Sequence, residues 1–429
     1  MRILLFTGKG GVGKSTVAAG TAALAAAEGL RTLVLSTDAA HSLGDAFGVE
    51  VGAEPTEVAD RLFVQQVDAQ LRFEQSWADV QGYLLSVLDV VGVDPVAAEE
   101  LTVIPGAEEV LALLELRQHA LGLHAAGRRP RGRTERGEPA WDVIVVDCAP
   151  TAETLRLLAL PEALGWYMQR IFPTQQRVVR ALRPVLNRAA GVPMPEGSVF
   201  GAIERLHAEL GEVHALLSAP GASVRIVLTP EQVVLAEARR SHTSLSLFGY
   251  RVDGVVANRI FPADGSDAWR ARWVEAQSEV LEQVGQSFEG LPVWRAPYQP
   301  SEPVGVAALA ALARDLYDSE PAAADPFAPS SGAGPFRVTR TAEGAVLHLA
   351  LPGARSSDVD LTRHREELVV TVGPYRRLLT LPSGLARLSV AGARVEDGEL
   401  RVRFRDEPRD TRTGGREGGQ TGARQEARG

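Results

Sequence analysis

The chain opens on an apolar run, Ile3–Phe6, that leads without a polar break into glycines. Residues 2–7 therefore read as a short buried strand, and the alanine-rich stretch from Lys14 to Glu28 reads as a helix small enough to pack on a sheet. A second strand covers Arg31–Thr37. Further β-rich runs follow at Trp141–Asp147, Ser223–Thr229, Val252–Asn258 and Leu291–Arg295, with helical spacing at Glu231–Phe248 and Ala268–Val284. Strands that alternate with helices predict an α/β fold around a mostly parallel sheet covered on both faces.

Two leucine- and alanine-rich segments, about 69–125 and 152–217, interrupt this alternation and predict a helical subdomain inserted into the sheet domain. Between them the basic, turn-rich stretch Gly127–Pro139 reads as a solvated surface loop, with nucleic-acid contact as the competing reading. At 319–335 the composition shifts to Pro, Ala, Gly and Ser, which marks a linker. Beyond it the period falls to two. Val346, His348 and Ala350 alternate with Leu347, Leu349 and Leu351, and short runs recur at Glu367–Val372, Arg376–Leu381 and Leu400–Phe404. These predict a small all-β sandwich over 336–405. Residues 406–429, nearly free of apolar side chains, are expected to be disordered. The expected division is a P-loop domain over 1–318, the linker, the sandwich and the tail.

Composition narrows the function classes. A chain of 429 residues exceeds one compact core. A formal net charge of −9 offers no global attraction to nucleic acid or an anionic membrane. The single cysteine, Cys148, precludes an internal disulfide and fits a reducing cytoplasm. It reads as a buried small hydrophobe rather than a reactive thiol. No run of 18 apolar residues occurs, so no membrane insertion is expected. Of the basic residues only Lys9 and Lys14 are lysine, both beside the first glycines. A compact ammonium suits a crowded phosphate site in a way a planar guanidinium does not.

Gly8-Lys9-Gly10-Gly11-Val12-Gly13-Lys14-Ser15 fits the phosphate-loop pattern G-x-x-x-x-G-K-[ST] between a predicted strand and a predicted helix. Its glycines let backbone N–H groups converge on phosphate oxygens, and the helix N-terminus favours negative charge. Lys14 would neutralise the β- and γ-phosphates of ATP, and Ser15 would hold Mg²⁺. Asp147, closing the apolar strand Val143–Val146, stands where a second Mg²⁺ ligand belongs, acting directly or through water. Asp38, after the second strand, is placed to orient the attacking water. His41 reads first as a loop hydrogen-bonder and second as a mechanistic group. Asp45 reads as a helix or turn acid that could sense the γ-phosphate. One glycine loop implies one nucleotide site per chain.

A second lysine early in the loop resembles the deviant form of this motif, in which Lys9 would reach across a homodimer to the partner's phosphates; the competing reading is a surface loop lysine. Over 1–318 the sequence resembles the ArsA family, the arsenite-pump-driving and tail-anchored-protein-targeting ATPases. Gly8–Thr16 (GKGGVGKST) carries the match, joined by Asp38-Ala39-Ala40-His41, Pro105-Gly106-Ala107-Glu108-Glu109 and Asp147–Leu158. The resemblance implies that Thr16 belongs to the nucleotide loop, that Asn258 reads the adenine ring, and that the Pro230-Glu231 turn lies near the base. It departs from the family at Ala39, where switch I has proline, and at Ala152-Glu153, where switch II has Gly-His. The zinc-binding Cys-x-x-Cys and the arsenite cysteine triad are both missing. Residues 336–405 resemble the α-crystallin-like sandwich of small heat-shock proteins through Ala393-Arg394-Val395-Glu396-Asp397-Gly398-Glu399-Leu400.

The expected function is an Mg²⁺-dependent ATPase, acting as a homodimer that handles or transports an unidentified protein or membrane-protein client. Leu84, Leu85, Val87, Leu88, Val90 and Val91 are candidate cargo contacts, or the core of the helical insertion. The alternatives are a nucleotide-gated chaperone with slow hydrolysis, an arsenite-efflux subunit, and a partition-type ATPase. The polar tail after Arg405 lacks the amphipathic helix the last of these needs.

Overall fold

Eight strands line up in the order β3-β4-β2-β5-β1-β6-β7-β8. They are β1 (Arg2–Thr7), β2 (Thr32–Ser36), β3 (Thr56–Ala59), β4 (Leu62–Gln66), β5 (Val143–Asp147), β6 (Ala222–Leu228), β7 (Val252–Ile260) and β8 (Val293–Pro297). The computed structural model describes residues 1–37, 42–67, 107–122, 140–148, 197–263, 267–320, 325–330 and 334–406. Every pairing in this sheet is parallel except the edge pair β3–β4. The central strands β1, β2, β5 and β6 are buried along their whole length, as strands covered on both faces must be. That explains their near-continuous apolar sequences. The antiparallel edge has no such signature: Thr56–Ala59 is short, polar and half exposed.

Helix α1 (Lys14–Ala27) and α2 (Ser42–Phe47) follow β1 and β2. The helix α3 (Ala107–Leu121) and α4 (Gly197–Ser218) are the described ends of the two predicted helical insertions. The rest of those insertions, including Leu84–Val91, lies outside the described residues, as do the 127–139 loop and residues 407–429. Beyond β6 come α5 (Gln232–Leu247), α6 (Ala268–Ser287) and α7 (Val306–Asp318). Small residues on α1 let α7 approach closely. A Cβ on Gly20 would stand 2.8 Å from the Leu309 carbonyl oxygen, and the Thr21 and Tyr317 hydroxyls meet at 2.7 Å.

The C-terminal part is antiparallel throughout. A four-stranded sheet runs β14-β15-β10-β9 and faces a three-stranded sheet, β11-β12-β13. Their ranges are β9 (Phe336–Thr341), β10 (Gly344–Ala350), β11 (Val359–His364), β12 (Glu367–Val372), β13 (Tyr375–Thr380), β14 (Ser389–Glu396) and β15 (Glu399–Arg405), with a short α8 (Ser383–Ala386) between β13 and β14. Ala345, Leu347, Leu349 and Leu351 point inward and meet Leu368, Val370, Leu400, Val402 and Phe404. The Asp397-Gly398 turn joins β14 to β15, both residues at positive φ (51° and 68°), the backbone that a two-residue hairpin requires.

The sandwich is docked on the sheet domain. Leu247, the last residue of α5, is fully buried and belongs to the sandwich core. Arg377 of β13 donates to the Leu247 carbonyl oxygen, a guanidinium at the carbonyl end of a helix. Thr243 on the same helix donates through its hydroxyl to the Pro352 carbonyl oxygen. Part of the stretch expected as a linker is anchored too. Phe327 is buried against Tyr317, and the Pro326 carbonyl oxygen accepts from Arg225.

Candidate functional site

Three side-chain-poor positions shape the turn after β1. A Cβ on Gly8 would overlap the carbonyl oxygen of Val227, so the loop lies directly against β6. Gly11 (φ +83°) and Gly13 (φ +88°) adopt the left-handed region that glycine tolerates. Gly13 then serves as N-cap of α1 with no side chain to satisfy the first N–H groups, and the first turn carries no acidic residue. Those donors face outward with the positive end of the helix dipole, the arrangement that binds an anion. Val12 packs inward at 2 % exposure, whereas Gly10 and Gly11 form the exposed crest.

Lys14, the first residue of α1, is 6 % exposed, so its charge is held in the loop rather than offered to bulk solvent. Lys9 is half-buried and lines a cleft of 340 Å³ together with Gly10, Gly11 and Val12. Ser15 and Thr16 follow in the first turn of α1, both half-buried. The Ser15 hydroxyl meets the Ser42 hydroxyl at 2.9 Å, which ties the start of α1 to the start of α2.

Asp147 ends β5 between β1 and β2, in register with Phe6 and Ser36, and is fully buried. The backbone and hydroxyl of Thr37 both donate to its carbonyl oxygen, at 3.0 and 3.3 Å. The loop, the Ser15 hydroxyl and Asp147 thus lie at the carboxyl edge of one parallel sheet, where open sheets bind ligands. A hydroxyl and a carboxylate are hard oxygen donors of the kind that suit Mg²⁺, which takes few protein ligands and keeps several waters. Among the described residues no group of three or more His, Cys, Asp or Glu forms a further metal site. Asp38 and His41 lie outside the described residues; Asp45 is in the first turn of α2.

Cys148 follows Asp147 and is 3 % exposed. Burial first, and the neighbouring Asp147 carboxylate second, push its thiol up to about 12. It is an inert core residue, as its sequence context suggested.

Asn258, on β7, is 8 % exposed and sits against Gly13. Its Nδ2 donates to the Val12 carbonyl oxygen at 2.8 Å, and its Oδ1 accepts from the Arg259 N–H at 2.9 Å. Pro230 is buried, and Glu231 is exposed and accepts from the Thr229 hydroxyl at 3.0 Å. Thr229, Glu231 and Val234 share the 340 Å³ cleft with the loop. Its far wall was not anticipated from sequence: Arg259, Phe261, Trp269, Trp273, Gln277 and Tyr298. Arg259 lies on β7, Phe261 just beyond it, Trp269, Trp273 and Gln277 on α6, and Tyr298 just after β8, and no local motif links them.

Comparison with known proteins is consistent along the chain. The family model described as anion-transporting ATPase matches residues 1–318, and the model for the HSP20-like domain found in ArsA matches 342–404. An uncharacterised protein of Streptomyces coelicolor is 38% identical over 415 residues, covering 95% of this chain and 98% of its own length. A Chlorobaculum tepidum protein named "Putative arsenical pump-driving ATPase" is 34% identical over 408 residues, covering 94% and 96%. A Paramecium tetraurelia protein named "ATPase ASNA1 homolog 1" is 25% identical over 310 residues, covering 70% and 88%.

Proposed function

Taking as premise that the chain belongs to the anion-transporting ATPase family, ArsA, and is an ATPase of that type, we propose that it hydrolyses MgATP as a homodimer and couples turnover to the handling of a protein or membrane-protein client. The observation that carries this reading is the glycine loop set against β6, with Lys14 held at the N-terminus of α1 and Asp147 buried at the same sheet edge. The backbone N–H groups of Gly10–Thr16 cradle the phosphates, and Lys14 offsets the charge on the β- and γ-oxygens. Ser15 and Asp147 would hold Mg²⁺, which would supply further positive charge beside the same oxygens. Asp38 orients a water whose oxygen bonds to the γ-phosphorus while the bridging bond to the β-phosphate breaks, leaving ADP and phosphate. Lys9, half-exposed at the mouth, crosses to the partner's phosphates.

The client and the cytoplasmic setting are proposals from the family and from composition. No helix among the described residues is long and apolar enough to cross a membrane. Arsenite is a weaker candidate for the effector than the relatives' names suggest, because the sequence holds one cysteine and that thiol is buried. A second reading, a nucleotide-gated chaperone, draws support from the sandwich docked on the far end of α5, whose near end borders the nucleotide cleft. We also propose that the ATPase portion spans 1–318 and the sandwich 336–405.

Steady-state ATP hydrolysis tests the reading. Lys14→Ala is expected to abolish turnover, and Lys9→Ala to reduce it by about 10³-fold or more, as loss of a finger residue does. Turnover by Lys9→Ala equal to that of the unaltered protein would remove the dimer-crossing role.

A further inference from the structure

The two parts of the chain carry charge of opposite sign. Residues 336–405 hold 12 arginines against 8 acidic side chains, whereas residues 1–335 hold 41 acidic side chains against 28 basic ones. The arginine excess is concentrated on the outward face of the sheet β14-β15-β10-β9. Leu400, Val402 and Phe404 turn into the sandwich core, so the alternate residues of β15, namely Glu399, Arg401, Arg403 and Arg405, point outward. Strand register then sets Arg394, Arg401, His348 and Arg337 side by side across all four strands.

Like charges directly opposite one another weaken a sheet, and here they are only partly offset. Glu399 accepts from Arg337 at 2.8 Å and from Arg401 at 2.7 Å, with His348 Nδ1 3.0 Å away. Glu396 pairs with Arg394 and Arg401, and Glu343 pairs with Arg405. Three carboxylates therefore serve the five outward guanidiniums of Arg337, Arg394, Arg401, Arg403 and Arg405. Arg403, in the middle of the face, is exposed and enters no ion pair among the described residues. Its strand neighbour is Gly392, where a Cβ would stand 3.2 Å from the Arg403 guanidinium, so no side chain rises beside it. The row across Arg403 is completed by Val346 and Thr339 rather than by aromatic rings. A face without rings lacks the stacking platform that single-stranded nucleic acid uses.

A surface of the opposite sign lies on α6. Gln277, Val280 and Val284 form the buried side of that helix. Glu275, Glu279 and Glu282 fall on the opposite side, are exposed, and enter no ion pair among the described residues. Carboxylates three and four residues apart repel one another along a helix. These three span about 10 Å of helix, and Arg401 to Arg405 span about 14 Å of strand. Each surface costs its own element some stability and supplies the charge that the other lacks. Among the described residues no ion pair joins the two within one chain.

We infer that the outward face of the four-stranded sheet docks on α6 of a second copy of this chain. Arg401, Arg403 and Arg405 of one copy meet Glu275, Glu279 and Glu282 of the other, and a two-fold axis makes the same contact twice, which closes the pair. Complementary charge orients the encounter, and salt screens it. The contact uses no residue of the glycine loop, so it forms without nucleotide and does not depend on the ATPase reading.

Analytical ultracentrifugation of the full chain without nucleotide, at low and at high salt, tests this. The unaltered protein is expected to pair at low salt and to separate at high salt. Arg401→Glu with Arg403→Glu reverses the sheet face, and Glu279→Arg with Glu282→Arg reverses the helix face. Each double variant alone is expected to pair about ten- to a hundred-fold more weakly. An equimolar mixture of the two double variants brings each reversed surface against a complementary one and is expected to restore pairing. Arg403→Glu by itself, which breaks no bond within the chain, is expected to weaken pairing by roughly three- to ten-fold. The inference is overturned if the unaltered chain stays single at low salt, if Arg403→Glu and both double variants pair as it does, or if the mixture pairs no better than its components. A single chain that instead binds a glutamate-rich peptide or phosphatidylserine vesicles through Arg403 gives this face to another partner, and that result also overturns it.

Discussion

A methyl group on Gly8 would overlap the Val227 carbonyl oxygen, and one on Gly13 would overlap the Asn258 amide. At these two positions the hydrogen side chain is what lets β1, β6 and β7 close around the loop. Both were legible in the sequence, because a phosphate loop needs its glycines at fixed offsets. Asp147 was legible as well, since four apolar residues before it announce a buried strand with a carboxylate at its end. Asn258 was legible only as a resemblance, and its contact with Val12 spans 246 positions, which no local pattern encodes. Cys148 yields a direct prediction. With its thiol pushed up to about 12 and its side chain in the core, iodoacetamide at pH 8 is expected to leave the folded protein unlabelled and to label it after denaturation. Mass spectrometry checks this, and rapid labelling of the folded form would reopen a thiol-based role.

At the scale of elements, α5 and α6 show where periodicity succeeds and where it stops. The sequence placed these helices at Glu231–Phe248 and Ala268–Val284; they run Gln232–Leu247 and Ala268–Ser287. The strand expected at Leu291–Arg295 runs Val293–Pro297, shifted because its hydrogen-bonded partners on β7 set the register. The β3–β4 edge escaped notice, as β3 is half exposed and has no apolar run. The aromatic lining of the cleft escaped too, since its rings lie just after β7, on α6 and just after β8, spread over 38 positions from Phe261 to Tyr298. His242 on α5 stacks on Phe288, which follows α6, with centroids 5.3 Å apart. Burial lowers its imidazole to about 4, so it is neutral at pH 7. A folded-state value below the unfolded value near 6.5 contributes stability that is present above 6.5 and is lost as the pH falls toward 4. Thermal melts of the unaltered protein should therefore decline across that window, and His242→Phe should flatten the decline. Parallel curves for the two would remove the role of His242.

The whole molecule is held together by contacts outside both glycine loop and strand pattern. Arg225, 1 % exposed, donates to the Tyr317 hydroxyl at 2.8 Å and to the Pro326 carbonyl oxygen, and pairs with Asp253 at 3.2 Å. Phe327 completes the cover over Tyr317. A chain ending at residue 335 keeps this cover, and one ending at 318 loses it. The shorter chain should melt lower, and the single change Phe327→Ala should reproduce most of the difference, roughly 3 kcal/mol for a buried phenylalanine. Chemical denaturation of the two truncated chains and of Phe327→Ala measures it. Equal stabilities would mean that 319–335 is a passive tether.

Helix α5 has its first turn at the nucleotide cleft and its last residue sunk in the β-sandwich. Sixteen residues at 1.5 Å each make a rod of roughly 24 Å. A tilt of ten degrees at the Glu231 end would then swing the Leu247 end through roughly 4 Å. With Arg377 and Leu247 gripping that end, any such tilt would be carried into the β-sandwich rather than absorbed at a loose joint.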